Sequence, residues 1–89
     1  MFRFRREVYL DNNATTKVSK HVRKTMSTVL KSCYGNPSSL YKVARNSAEI
    51  LEDSRRHVAE AINADCNEIV FTGCATESNN AVLKSLSEH

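Results

Sequence analysis

Residues 73–76, which read Gly-Cys-Ala-Thr, are the part of the sequence best suited to chemistry. They follow an apolar run at 69–71 and precede a stretch with helical spacing. The first turn of a helix carries unpaired N–H groups and roughly half a unit of positive charge, which together attract anions. Gly73 and Ala75 leave the backbone accessible, and Thr76 adds a hydroxyl donor. The segment is therefore a candidate phosphate-binding site, with a simple capped helix start as the alternative.

Two better-known phosphate motifs are absent from this segment. It has neither the Gly-Lys-Ser/Thr ending of a Walker A loop nor a G-x-G-x-x-G pattern.

Cys74 could act as a nucleophile, because a helix start lowers the pKa of a thiol. No His or Lys in the local motif could serve as its base, so a small apolar filler is the preferred interpretation.

The elements that must position this segment follow from apolar spacing and turn signals. They are a strand at 7–10, a helix at 19–32, a helix at 39–62, a strand at 68–72 and a helix at 76–86. Ser19 is the expected N-cap of the first helix, and Ser38 or Ser39 that of the second. Gly35, tolerant of a left-handed backbone, marks the break between these two helices. We predict an α/β fold that is helix-rich and incomplete as a stand-alone sheet, since two short strands cannot form a stable one.

Length and composition limit the class of protein. The chain has 89 residues, 40% of them apolar and 26% charged, which allows one globular domain or part of one. No apolar run is long enough for a membrane span, and the basic start lacks the apolar region of a secretory signal. The three cysteines, an odd number without C-x-x-C spacing, indicate neither a disulfide framework nor a zinc site. We therefore expect reduced thiols, no metal, no membrane partner and a cytoplasmic location.

Charge is divided unevenly along the chain. Residues 1–45 hold ten Lys and Arg against two acids, a net +8, whereas residues 46–89 hold three against eight, a net −5. A basic half can indicate nucleic-acid binding. No block of five like charges occurs and no aromatic residues interleave the lysines, so mutual neutralisation in the fold or with a partner is preferred.

Three motifs occur in order at 8–16, 34–40 and 69–80, reading Val-Tyr-Leu-Asp-Asn-Asn-Ala-Thr-Thr, Tyr-Gly-Asn-Pro-Ser-Ser-Leu and Ile-Val-Phe-Thr-Gly-Cys-Ala-Thr-Glu-Ser-Asn-Asn. With these motifs the chain resembles the N-terminal part of cysteine desulfurases. These are pyridoxal-phosphate enzymes of nitrogen fixation and iron–sulfur-cluster assembly, within the class V aminotransferase group. The resemblance implies the large domain of fold-type I enzymes, a mostly parallel sheet between helices, in a homodimer.

The resemblance also implies an activity and site residues. Such enzymes remove sulfur from L-cysteine, leaving alanine and an enzyme persulfide. In the matching motif, Ala75 and Thr76 would bind the cofactor phosphate, and the segment containing Asn13 and Ala14 would lie near the substrate. The chain departs from the family pattern at three positions. Tyr41 stands where the family commonly has His, Ala44 where it has Gly, and Gly73 where it has Ser.

Four groups of the family's reaction have no counterpart among the matched residues. They are the lysine that binds the cofactor covalently, the Asp at its ring nitrogen, the His stacked on its ring and the nucleophilic Cys of a mobile loop; neither Lys84 nor Cys74 matches them. We therefore expect a fragment that binds pyridoxal phosphate weakly or not at all alone. It would work as a homodimer or with a complementing C-terminal chain. The alternative is an inactive, self-associating fragment.

Overall fold

The computed structural model describes residues 6–88 and divides the chain into two compact units, Met1–Tyr34 and Gly35–His89. The described residues form three α-helices, α1 (Lys20–Ser32), α2 (Lys42–Ile62) and α3 (Ala75–Ser87), and a short 3-10 helix at Cys66–Glu68. No strand is present within residues 6–88. The predicted α/β class is thus represented here by its helices alone.

In the first unit, α1 begins where the sequence predicts. The hydroxyl of Ser19 accepts a hydrogen bond from the Val22 N–H at 3.2 Å, which caps the helix. At the other end, the Cys33 N–H donates to the Val29 carbonyl at 2.8 Å. The apolar positions have helical spacing, yet Met26 is 54% exposed and Leu30 is 77% exposed. This helix therefore forms from local signals without a buried face in the structure described.

The strand predicted at 7–10 is not formed. Residues 6–10 have no regular secondary structure, and the following turn is closed by the Ala14 N–H, which donates to the Asp11 carbonyl at 3.1 Å. The physical reason is that a strand needs a neighbour for its backbone groups, and the described residues supply none.

The second unit opens with a turn that changes the predicted start of α2. The side-chain oxygen of Asn36 accepts the Ser38 N–H at 3.0 Å, and its carbonyl accepts the Ser39 N–H at 3.0 Å. Because these serines belong to the turn, neither can cap the helix, and the predicted caps are wrong. The N-cap is Tyr41, whose side chain makes no capping hydrogen bond.

Gly35 is required for a reason other than the one predicted. No described glycine has a positive φ. A Cβ at Gly35 would instead lie 2.6 Å from the Val43 carbonyl oxygen and 2.8 Å from the Ala44 nitrogen. Only glycine allows this close backbone approach at the start of α2.

The buried side chains of α2 are few and small. Ala44 is fully buried, Ala59 is 2% exposed and Ser47 is 8% exposed. At the C-terminal end of the helix, Ile62 is 65% exposed.

The helix ends at Asn63, which has a left-handed backbone with φ 56° and ψ 47°. The Ala64 N–H then donates to the Ala59 carbonyl at 2.9 Å, which closes the last turn. Asparagine is the residue that most often replaces glycine in this role, because its side chain tolerates the left-handed region.

The strand predicted at 68–72 is also absent. Its first residue belongs to the 3-10 helix at Cys66–Glu68, and the rest has no ladder partner among the described residues. Instead, the Arg55 guanidinium of α2 donates to the Ile69 carbonyl and lies 5.2 Å from the centre of the Phe71 ring. Arg55 therefore binds residues 69–72, the extended segment, to α2.

Arg56, the next residue, does face solvent. It forms ion pairs with Asp53 and Glu60, each at 3.2 Å. Hydrogen bonds to Asp53 and then Glu60 raise the pKa of Arg56 above its ordinary value. The group therefore stays charged on an exposed face of α2.

Candidate functional site

The candidate residues lie at the start of α3. The helix begins at Ala75, one residue before the predicted boundary, so Ala75 and Thr76 are its first two residues. Both are exposed. The preceding Cys74 is the N-cap, with extended backbone and no side-chain capping bond. The predicted arrangement of a small-residue bend leading into a helix is therefore present, although no sheet edge accompanies it in residues 6–88.

The first N–H groups of α3 remain available. The Ser78 N–H donates to the Cys74 carbonyl at 3.2 Å, which forms the first turn. Within the described residues, no hydrogen bond engages the N–H groups of Ala75 and Thr76. Such groups carry the positive end of the helix dipole. They can donate to an anion that approaches from outside the helix.

Glu77 contributes a contact that the sequence analysis did not identify. Its carboxylate oxygen Oε2 accepts the Gly73 N–H at 2.8 Å. A Cβ at Gly73 would lie 3.2 Å from the same oxygen, so a serine there would require only a small movement of a flexible side chain. The sequence feature that indicates this contact is an acidic residue at the third position of the helix, where a capping box places Glu.

Two hydroxyl groups, those of Thr72 and Ser78, also stabilise the bend before α3. The Oγ atoms of Thr72 and Ser78 are 2.6 Å apart, and both side chains are part-buried. Each hydroxyl also contacts the Cys74 carbonyl, at 3.2 Å from Thr72 and 3.4 Å from Ser78. These residues fix where the chain turns into α3. The pairing spans six residues across a bend, and nothing in the local spacing indicated it.

The other predicted residues have different surroundings. The Cys74 thiol is free and exposed, and no group of residues suited to hold a metal ion is present in the described part of the chain. Asn13 and Ala14 belong to the first unit, in the turn after Asp11. Their approach to a substrate stays a prediction. Tyr41 caps α2 without a side-chain bond.

A concave surface of about 480 Å³ runs beside α3. It is lined by residues from the end of the 3-10 helix, from the extended segment and from one side of α3: Glu68, Val70, Thr72, Ser78, Ala81, Val82, Ser85 and Leu86. Ala75 and Thr76 are not among them. The groove is apolar and the helix start is polar, so these are two distinct surfaces of the second unit.

None of the helices described, over residues 6–88, has the length and apolar character needed to cross a membrane.

Comparison with known proteins supplies the family. The family described as aminotransferase class-V matches residues 8–89. The chain is 43% identical over 83 residues to cysteine desulfurase IscS of Dictyoglomus turgidum, covering 93% of this chain and 21% of that protein. It is 40% identical over 80 residues to cysteine desulfurase IscS of Methanosarcina thermophila, covering 90% and 20%. It is 38% identical over 84 residues to selenocysteine lyase of Bos taurus, covering 94% and 19%.

These matches confirm the resemblance to cysteine desulfurases that the three motifs indicated. The chain spans about a fifth of the length of the curated relatives it matches. The family implies a fold-type I, pyridoxal-phosphate-dependent enzyme, and it does not favour the alternative of an inactive interaction fragment. Since the match extends over residues 8–89, this chain belongs to the class-V aminotransferase family.

Proposed function

We propose that this chain forms the phosphate-binding segment of a pyridoxal-phosphate-dependent cysteine desulfurase. The observation that carries the proposal is the exposed start of α3, where Ala75 and Thr76 offer N–H groups without a bonded acceptor. The names of the relatives support the reaction class. The exposed bend at Gly73 and Cys74 supports the fit, because a phosphate group can reach the backbone there.

Each residue has a defined part in this proposal. The N–H groups of Ala75 and Thr76 donate to phosphate oxygens, and the Thr76 hydroxyl adds a third donor. The pair formed by Thr72 and Ser78 keeps the bend in position. When bound, pyridoxal phosphate supplies an electron sink for the substrate. The residues described here bind and orient its phosphate end.

The remaining groups of the reaction come from outside these residues. The covalently binding lysine, the ring-nitrogen Asp, the stacking His and the nucleophilic Cys belong to the other four fifths of the enzyme, on the same polypeptide or on a complementing C-terminal chain. The substrate is L-cysteine and the products are alanine and an enzyme persulfide, for iron–sulfur-cluster assembly, in a homodimer. A cytoplasmic location and the absence of nucleic-acid binding stay predictions from composition and charge.

The test is a titration of the 89-residue chain with pyridoxal phosphate, followed by the amide shifts of residues 73–76 in two-dimensional NMR spectra. We expect weak, saturable binding that shifts the Ala75 and Thr76 amides most, because the covalent anchor is absent. Thr76→Val removes one hydroxyl bond to a charged group while keeping the β-branched shape. It should weaken binding about tenfold, as loss of a hydrogen bond to a charged group does.

The matched control is Thr28→Val in α1. The Thr28 hydroxyl donates to the Lys24 carbonyl within an exposed helix, away from the candidate residues along the chain. This change should leave the affinity unaltered. Saturation without shifts at 73–76, or equal loss in both variants, would contradict the proposal.

A further inference from the structure

A carboxylate already lies at the helix start to which the proposed function assigns a phosphate. Glu77 Oε2 accepts the Gly73 N–H at 2.8 Å. Gly73 and Ala75 are two residues apart, so their Cα atoms are at most about 7.6 Å from each other. Glu77 is also the third residue of α3, so its carboxylate and an anion bound at Ala75 and Thr76 would share the first turn of the helix, a separation of the order of one Debye length, about 8–10 Å.

The hydrogen bond between Glu77 and Gly73 can break without disturbing the bend. Glu77 and Gly73 are both exposed, so the side chain can leave the amide without opening a buried cavity. The part-buried hydroxyl pair of Thr72 and Ser78, together with its exposed contacts to the Cys74 carbonyl, holds the same bend independently. The bend consequently does not depend on the carboxylate alone.

We propose that Glu77 is an internal anion that competes with the phosphate group at the start of α3 and thereby limits its affinity. The inference rests on the proposed function, because it concerns the same phosphate. Bound phosphate and the Glu77 carboxylate repel one another and draw on the same helix dipole. Binding then displaces the carboxylate from the Gly73 N–H or proceeds against its charge.

A bracing role for Glu77 makes the opposite prediction. If the carboxylate mainly holds the Gly73 amide in a productive position, any loss of the contact weakens binding. Glu77→Gln separates the two roles, because glutamine retains a carbonyl acceptor of the same reach but carries no charge. Glu77→Ala removes both the charge and the acceptor.

The experiment measures the affinity of the 89-residue chain for pyridoxal phosphate and for inorganic phosphate, at low and at high salt, by the amide shifts of residues 73–76. The control is Glu88→Gln, which removes the same charge at the C-cap of α3. Thirteen helical residues separate the two ends of that helix, about 20 Å. At that distance the control charge acts on the candidate residues much more weakly than the Glu77 carboxylate does.

We expect Glu77→Gln to tighten binding of both anions about three- to tenfold at low salt, with a smaller gain at high salt. Glu88→Gln should change the affinity less than twofold. Unchanged or weaker binding by Glu77→Gln overturns the competitor role while leaving the phosphate site intact. A response to neither anion in any variant overturns the proposed function, and this inference with it.

A second readout examines the contact itself. Exchange of the Gly73 amide hydrogen should accelerate in Glu77→Ala relative to the unmodified chain. Saturating phosphate should accelerate it in the unmodified chain as well, because the anion displaces the carboxylate. Unchanged Gly73 exchange at saturation, with Glu77 still bonded, would count against the displacement.

Discussion

Gly35 packs against the first turn of α2, and Asn63 ends this helix. The backbone restricts the residue type at both positions. At Gly35 the requirement is space, since the backbone of Val43 and Ala44 fills the position of a side chain. At Asn63 it is conformation, because the chain leaves the helix through the left-handed region. Both residues act through geometry, which limits the substitutions that each position accepts.

Gly35→Ala should destabilise the second unit by about 1–3 kcal/mol, as inserting a methyl group into a filled space does. The added Cβ would meet backbone atoms of Val43 and Ala44 at 2.6–2.8 Å, and backbone cannot move aside as a side-chain tip can. The measurement is urea unfolding followed by helical circular dichroism.

Gly73→Ala is the matched control for this change. Its added Cβ would approach only the flexible Glu77 carboxylate, at 3.2 Å. The unfolding midpoint should therefore shift much less than in Gly35→Ala. Equal shifts in the two variants would show that close approach is not what selects glycine at position 35.

At the scale of elements, an arginine links the extended segment after the 3-10 helix to α2. Arg55 donates to the Ile69 carbonyl and lies over the Phe71 ring. Its neighbour Arg56 pairs with exposed acids of its own helix, Asp53 and Glu60. Two arginines adjacent in sequence thus make different contacts. Arg55 connects two elements, whereas Arg56 forms ion pairs within one helix.

Arg55→Ala should cost about 1–2 kcal/mol of stability, the combined scale of one hydrogen bond and one partly exposed cation–π contact. It should also speed amide exchange at residues 69–72, since the segment loses its attachment to α2. Arg56→Ala should change stability little, because exposed ion pairs contribute weakly. If Arg56→Ala released the segment to the same degree, the specific role of Arg55 would be wrong.

At the scale of the whole chain, each unit buries few side chains within the described residues. Neither α1 nor α3 has a buried residue, and the buried apolar side chains of residues 6–88 are those of Ala44 and Ala59. Large apolar residues such as Val70, Leu83 and Leu86 are 79%, 65% and 70% exposed. Two alanines provide little hydrophobic stabilisation, because burial energy scales with apolar area.

Hydrogen exchange of the dilute 89-residue chain should therefore be slowest in α2, between Ala44 and Ala59. Exchange in α1 and α3 should be faster than in α2, since neither helix has a buried residue and helices of 13 residues depend on packing for stability in water. Mass spectrometry of peptides from the three helices makes the comparison. Equal protection of all three helices at low concentration would contradict this expectation, and protection that rises with concentration would indicate association of the chains.

The agreement between sequence and structure is closest where the signals are local. The Ser19 cap, the end of α2 at Asn63 and the small-residue bend before α3 depend on residues within one or two turns of each other. The family was likewise readable from three short motifs, which the match over residues 8–89 confirms. The prediction of Ser38 or Ser39 as the cap of α2 is wrong because both serines lie in the turn closed by Asn36, before the helix begins.

Strand formation and side-chain contacts depend on which chain segments lie next to each other in the fold. The β-prone residues at 7–10 and 68–72 have the composition of strands, but a strand exists only with a partner for its backbone groups, and none is described here. The bond from Arg55 to Ile69 spans fourteen residues, and the Glu77 carboxylate meets Gly73 across a bend. Helices, caps and family membership were thus encoded in short stretches of sequence. The attachment of the extended segment and the charge at the start of α3 were decided only when folding brought separate groups within hydrogen-bonding distance.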